Sequence, residues 1–288
     1  MSAMHGARTP VSPGSSPAAI ALTALLLTGC GTSETPAEHV DPEIEVRPDL
    51  EAVFDSAGIT GTFVLYRPAD DRLIVANLER AETRFVPAST YKIPHTLIAL
   101  ETGAVADVEE VVPYGGQPQP FAAWERDMSV REAVPASSVP VFQEVARRVG
   151  PERMQGWLDR LDYGNRDMGM VQDRFWLDGP LEISAIGQAR FLAELAAGTL
   201  PAGAEAQATV REVTLLEAGD GHTIFGKTGW AFDVLPQVGW WVGWVEREDG
   251  AIHAFALNLE MRGSDDARRR IELGREMLRR LAILPTAP

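Results

Sequence analysis

Apolar and polar positions change their spacing along this chain in a way that marks out its elements. Gly61–Tyr66 and Leu73–Ala76 are apolar runs flanking Pro68, Ala69, Asp70 and Asp71, a pattern that predicts a β-hairpin. From Ser89 to Glu101 the spacing becomes helical, with Gly103 as the stop. Residues 105–200 read mostly as helix and loop. Val141, Val145 and Val149 mark one helix face before Gly150, and Ile186, Ala189 and Leu192 mark another before Gly198. Strand spacing returns at Thr223–Thr228, Val238–Glu246 and Ile252–Met261, and the last two are joined through an Asp249-Gly250 turn. Asp265–Leu281 reads as a basic helix with Ile271, Leu278 and Leu281 as its apolar stripe. Trp240, Trp241 and Trp244 are expected to pack in the core rather than to form a sugar platform. No repeats interrupt the chain. These elements predict an α/β protein in the α+β sense. A central antiparallel sheet, built from both ends of residues 49–288, is flanked by helices and carries an inserted helical subdomain over about 104–200.

The amino terminus reads as an address rather than as structure. Residues 1–29 carry one arginine, Arg8, no acid, and an apolar run from Ala18 to Leu27. Ten residues cannot span a bilayer core of about 30 Å, so the run predicts a secretory signal peptide. Leu27, Thr28, Gly29 and Cys30 resemble a bacterial lipobox, which predicts cleavage before Cys30, lipidation of that residue, and a periplasmic protein anchored to a membrane. A tether rich in Thr, Ser, Pro and Glu is expected over 30–48.

Composition narrows the chemistry. The net charge is -15, and cleavage would remove only Arg8 among the charged residues, leaving -16. So acidic a surface repels phosphate backbones and argues against a nucleic-acid partner. Cys30 is the single cysteine, which forbids an internal disulfide and a cysteine-based zinc site. The five histidines are scattered with no H-E-x-x-H, so no metal is expected.

Lys92 and Lys227 are the only lysines, against 24 arginines. A residue kept as lysine is suited to what guanidinium cannot do, which is to lose its proton or act as a compact ammonium. Ser89 and Lys92 have S-x-x-K spacing, just under one helical turn, so hydroxyl and amine lie within reach of each other. A serine nucleophile needs an adjacent base, and the amine serves only when unprotonated. Lowering its pKa from about 10.4 to about 7 takes roughly 4–5 kcal/mol, which burial can supply. The apolar flanks from Phe85 to Ala88 and at Ile93 and Pro94 suit that burial. Lys227, Thr228 and Gly229 end a predicted strand and offer an ammonium, a hydroxyl and a closely approachable backbone to a substrate carboxylate. S-x-x-K together with K-T-G occurs in class A β-lactamases and penicillin-binding proteins.

The segment Pro87 to Pro94 (PASTYKIP) is more specifically similar to the active-site segment of the class D β-lactamases, the oxacillinases. Tyr91 stands where that family commonly has Phe. Ser137, Ser138 and Val139 resemble its S-x-V element, Tyr163, Gly164 and Asn165 its Y-G-N, and Phe175 to Pro180 its tryptophan loop. Gln237 to Glu246 resembles the long strand that follows K-T-G. The likeness runs from about residue 50 to 282 with the motifs in family order.

This resemblance implies a serine β-lactamase fold and hydrolysis of a small-molecule β-lactam through an acyl-enzyme on Ser89. It implies no separate cofactor, but carbon dioxide or bicarbonate as the covalent modifier that turns Lys92 into a carbamate, the general base. Only a neutral amine attacks carbon dioxide, so the depressed pKa is its prerequisite. The resemblance further implies that Trp176 donates its indole N–H to the carbamate and Val139 keeps it dry. Ser137 would relay a proton to the departing nitrogen, and the N–H groups of Ser89 and Trp230 would form the oxyanion hole. Lys227, Thr228, Gly229 and Arg270 would hold the substrate carboxylate. Arg270 is chosen from Arg268, Arg269 and Arg270 because only one of three consecutive helical residues faces a given site. Ser137 as a plain N-cap, Trp176 as core and the Y-G-N as a structural turn stand as alternatives, and His95 is read as helix packing.

Other classes fit less well. A class A enzyme needs Asn where Val139 stands and an E-x-x-L-N that the chain lacks, while class C enzymes lack S-x-V and the Phe-Trp loop. A D,D-peptidase-like penicillin-binding protein or a β-lactam sensor domain would acylate without turning over. Sensors also carry transmembrane helices and an effector, which are not found in these 288 residues. The sequence sets no oligomeric state.

Overall fold

The computed structural model describes residues 42–285 other than Asp220. The expected signal peptide and Cys30 lie outside the described residues. Of the tether expected over 30–48, the part up to residue 41 also lies outside them, and the rest is not linker: Glu43–Val46 forms strand β1 and Pro48–Ala57 forms helix α1. Proline at the first helical position and Gly58 in the left-handed conformation at the far end bound α1.

The hairpin is β2 (Gly61–Arg67) and β3 (Arg72–Ala76), followed by the short helix α2 (Leu78–Glu82). Edge strand β4 (Arg84–Phe85) leads into a single 3-10 turn at Ala88–Tyr91 and then into α3 (Lys92–Glu101). The helix predicted from Ser89 therefore opens with a tighter turn that carries the serine, while the lysine starts the α-helix proper.

The inserted region holds the two-stranded pair β5 (Val111–Val112) and β6 (Met128–Ser129). Its helices are α4 (Val130–Ala136), α5 (Val139–Val149) and α6 (Pro151–Arg160). β7 (Ile183–Ser184) pairs with β4 and leads into α7 (Ala185–Ala197), followed by α8 (Ala204–Val213). The chain ends with β8 (Leu215–Gly219), β9 (His222–Ala231), β10 (Val238–Arg247), β11 (Ile252–Glu260) and α9 (Asp266–Arg280).

Seven strands form the main sheet in the order β1-β3-β2-β11-β10-β9-β8. All pairings in it are antiparallel except β1 with β3, so the expected antiparallel sheet gains one parallel edge strand. Both faces of the sheet are covered, which is why β10 is apolar almost throughout rather than alternating. On one face α1 and α9 pack through Leu50, Phe54, Met277 and Leu278 against Trp241 and Phe255. On the other, Trp240 and Trp244 join the larger core formed with α3, α5 and α7. The three tryptophans are core, as expected.

The sheet accepts close neighbours where it has glycine. A side chain at Gly243 would meet the Phe225 carbonyl oxygen at 2.0 Å, and one at Gly274 would meet the Trp241 ring at 2.3 Å. The second contact lets α9 lie directly on β10, which fixes where Arg270 reaches.

Candidate active site

The 3-10 turn that carries Ser89 packs against β9 at the residues following Lys227. A Cβ on Gly229 would come within 2.9 Å of the Pro87 carbonyl oxygen and 3.0 Å of Thr90 Cγ2, so only glycine lets strand and turn approach this closely. Ala88, the residue before Ser89, has a φ of 49° and is buried. A side-chain-bearing residue held in that region costs about 1–3 kcal/mol and persists where its surroundings dictate it.

Lys92 is wholly buried, and its Nζ donates to Ser89 Oγ at 3.1 Å. Burial, with the nearby Lys227 charge adding to it, holds the Lys92 amine well below the ordinary lysine value. The Phe142 ring centroid lies 5.0 Å from Nζ. Trp176 is also fully buried, and its Nε1 has no hydrogen-bond partner. A buried indole N–H without an acceptor is costly.

His95 lies one turn beyond Lys92, fully buried, with its ring 5.0 Å from Trp176, 5.1 Å from Phe142 and 5.3 Å from Tyr91. Burial, then the Lys92 charge, pushes it down to about 3, so it stays neutral and packs as expected. Tyr91, where the resemblance would have Phe, stacks on Trp176 at 5.8 Å and donates its hydroxyl to Met154 Sδ at 3.2 Å.

Ser137 is not a helix N-cap. It ends α4 in the left-handed conformation, and Ser138 occupies the cap position of α5 without a capping hydrogen bond. The Ser137 hydroxyl instead accepts from Lys227 Nζ at 2.5 Å. Lys227 also donates to the Thr228 carbonyl at 3.0 Å, and burial followed by the Arg270 charge lowers it to about 7. Val139, in the first turn of α5, lines the same cleft.

Of the three consecutive arginines, Arg268 is exposed, Arg269 pairs with Asp266 and the Ala57 carbonyl, and Arg270 reaches the cleft. Its guanidinium donates to the Gly229 carbonyl, and burial lowers it to about 10. Ser89, Ser137, Val139, Thr228, Gly229, Trp230 and Arg270 line one cleft of about 270 Å³, and the buried Lys92 and Lys227 bond to Ser89 and Ser137 of that lining. Of the ten residues expected at the site besides Cys30, seven line this cleft, the two lysines are bonded to its serines, and Trp176 lies in the core next to Leu177 of the lining.

Sequence reasoning missed the apolar wall opposite the serine: Phe121, Trp124 and Phe232. Phe121 meets Trp124 at 4.7 Å and Phe232 at 6.3 Å, joining the inserted region to the loop after β9. The Y-G-N is a structural turn. Asn165 Oδ1 accepts from Glu182 N, its Nδ2 donates to the Pro180 carbonyl, and a Cβ on Gly164 would sit 2.2 Å from the Glu182 carbonyl oxygen.

Residues 61–279 match the penicillin-binding protein transpeptidase domain family. The chain is 40% identical over 225 residues to β-lactamase OXA-48 of Klebsiella pneumoniae, covering 78% of this chain and 84% of that one. It is 41% identical over 211 residues to OXA-5 of Pseudomonas aeruginosa, covering 72% and 79%. Among solved structures, the class D β-lactamase FUS-1 (OXA-85) of Fusobacterium nucleatum subsp. polymorphum superimposes with a TM-score of 0.80 at 39% identity, covering 83% of this chain and all of that one. A class D β-lactamase from Nostoc gives 0.78 at 35% identity, covering 82% and 99%. With its serine, its buried lysine and these relatives agreeing, the chain belongs to the class D β-lactamases.

Proposed function

We propose that this protein hydrolyses β-lactam antibiotics through an acyl intermediate on Ser89, with Lys92 carboxylated as the general base. One observation carries the reading: a fully buried lysine amine, held below its ordinary pKa, lies 3.1 Å from the serine hydroxyl. With the amine neutral, the same contact lets the Ser89 O–H donate to it. A neutral amine also takes up carbon dioxide with loss of one proton; the unpartnered Trp176 Nε1 offers the resulting anion a donor, while Phe142 and Val139 help exclude the water that would favour the ammonium. That group supplies oxygen acceptors for the serine proton in acylation and for the water proton in deacylation.

The chain's own residues do the rest. Thr228, Lys227 and Arg270 draw the substrate carboxylate into the cleft, which places the lactam carbonyl over Ser89. Backbone N–H groups of Ser89 and Trp230 stabilise the oxyanion as the carbonyl becomes tetrahedral. The Lys227–Ser137 hydrogen bond gives the departing lactam nitrogen a proton route: Ser137 passes its proton on and recovers one from Lys227. A lysine near 7 exchanges that proton readily at neutral pH.

The test is turnover of a chromogenic cephalosporin with and without bicarbonate. Ser89→Ala is expected to abolish hydrolysis. Lys92→Ala is expected to slow acylation and let the acyl-enzyme accumulate, and activity should fall when bicarbonate is stripped and return with it. One-for-one acylation without turnover would instead support the sensor or peptidase reading, and bicarbonate-independent turnover would overturn the carbamate.

The same reading takes residues 1–29 as a secretory signal, Cys30 as the lipidated first residue of a periplasmic, membrane-tethered enzyme, and about 104–200 as the helical subdomain. Labelled palmitate should enter the wild-type protein and be lost in Cys30→Ser.

A further inference from the structure

The residue before the nucleophile is held in a conformation that alanine disfavours, so something outside the turn must hold it there. Two anchors come from the sheet. Trp240 Nε1 donates to the Val86 carbonyl at 2.9 Å, and Gly229 presses on Pro87 and Thr90. The third comes from the opposite side. Gln188, on the first turns of α7, donates through Nε2 to Thr90 Oγ1 at 2.8 Å. Thr90 Oγ1 in turn donates to the Pro87 carbonyl at 2.7 Å, closing the turn around Ala88 and Ser89. Tyr163 donates its hydroxyl to Gln188 Oε1 at 3.4 Å. Because the Thr90 proton is given to the Pro87 carbonyl, Thr90 Oγ1 can only accept from Gln188, which turns the amide N–H to Thr90 and leaves the amide oxygen for the Tyr163 O–H. Gln188, Thr90 and Tyr163 are all buried. Filling space would need only an apolar side chain here. An amide used at both ends, bridging segments 98 and 25 residues away, acts on geometry instead.

We propose that Gln188 is a positioning residue for Ser89: through Thr90 it holds the strained turn so that the hydroxyl stays over Lys92 and aimed into the cleft. This rests on Ser89 being the nucleophile, as proposed above. Gln188→Met keeps the volume and removes both hydrogen bonds, while Thr90→Val removes the same contact from the other side and Thr90→Ser restores it. The full-length protein is mixed rapidly with a penicillin, and the acyl-enzyme is quenched and counted by intact mass. Deacylation, bicarbonate dependence and thermal unfolding are measured alongside.

Gln188→Met and Thr90→Val are each expected to lower the acylation rate constant about tenfold, and the double variant to lower it no further. Thr90→Ser should return most of it. The bicarbonate concentration for half-maximal activity should stay unchanged, because the Lys92 chamber is untouched. Acylation within twofold of wild type in folded Gln188→Met would overturn the proposal, as would losses that multiply in the double variant, or a loss explained wholly by the fraction unfolded. If Gln188→Met does not fold, Thr90→Val against Thr90→Ser decides the matter. A wild-type protein that never acylates would instead overturn the hydrolase reading itself.

Discussion

Lys92 is stabilising for chemistry and destabilising for the fold. Burying an amine penalises its charged form, so between the lowered native value and the ordinary lysine value the unfolded chain binds more protons than the native one. Native stability therefore rises with pH through that window, and the cost is greatest at the acid side of it. In bicarbonate-free buffer Lys92→Met is expected to raise stability at pH 7 by roughly 1–2 kcal/mol while abolishing turnover, the trade-off common at active sites. The advantage should shrink as pH approaches 10.5, which urea unfolding at several pH values will read. Carboxylation competes with protonation at the same nitrogen, so the bicarbonate requirement should climb as pH falls. Trp176→Phe removes the N–H that has no partner here, and is expected to raise that requirement about tenfold with little change in acylation of the fully carboxylated enzyme. The lysines were conspicuous in the sequence because arginine supplies every other cation. Gln188 was not, since nothing in a lone glutamine on a helix reports which turn it will bridge to.

At the level of elements, the carboxylate grip depends on a helix seated on a tryptophan. Gly274 leaves no room for a methyl beside Trp241, so Gly274→Ala must lift or rotate α9 and with it Arg270. We expect a stability loss of about 1–3 kcal/mol from overpacking, with KM rising several-fold and kcat changed less. Steady-state kinetics with a carboxylate-bearing penicillin, set beside thermal melts, will separate the two effects. α5, α7, α9 and β9 to β11 were readable in advance because their periods are long and strong. β1 reads as tether because its alternation, Glu43-Ile44-Glu45-Val46, lasts only four residues inside a Pro- and Glu-rich stretch and buries none of them, and β8 escapes because all five of its residues are exposed. α1 did carry its signals, Pro48 and Gly58, but its first turn sits in a segment whose composition is that of a linker. The wall of Phe121, Trp124 and Phe232 was hidden for another reason: it is assembled across more than a hundred residues, and local pattern cannot see such a pairing.

For the whole molecule, an acidic protein must admit an anionic drug. The net charge of -15 repels it at long range, while Lys227 and Arg270 attract it only within the cleft. Raising ionic strength from 0.01 to 0.15 M shortens the screening length from about 30 to about 8 Å. The distant repulsion is lost first, so kcat/KM for a monoanionic penicillin is expected to rise about twofold over that range, and a fall would show that the local cations dominate the approach. The same scarcity of surface ammonium groups has a practical side. Both lysines are buried, and burial lowers both, Lys227 to about 7. With Lys92 carboxylated in bicarbonate, a small active ester should therefore find its favoured lysine in Lys227 and poison the enzyme stoichiometrically, with a bound antibiotic shielding it. Bulky cross-linkers and biosensor coupling chemistries aimed at lysine will find nothing on the outside to hold.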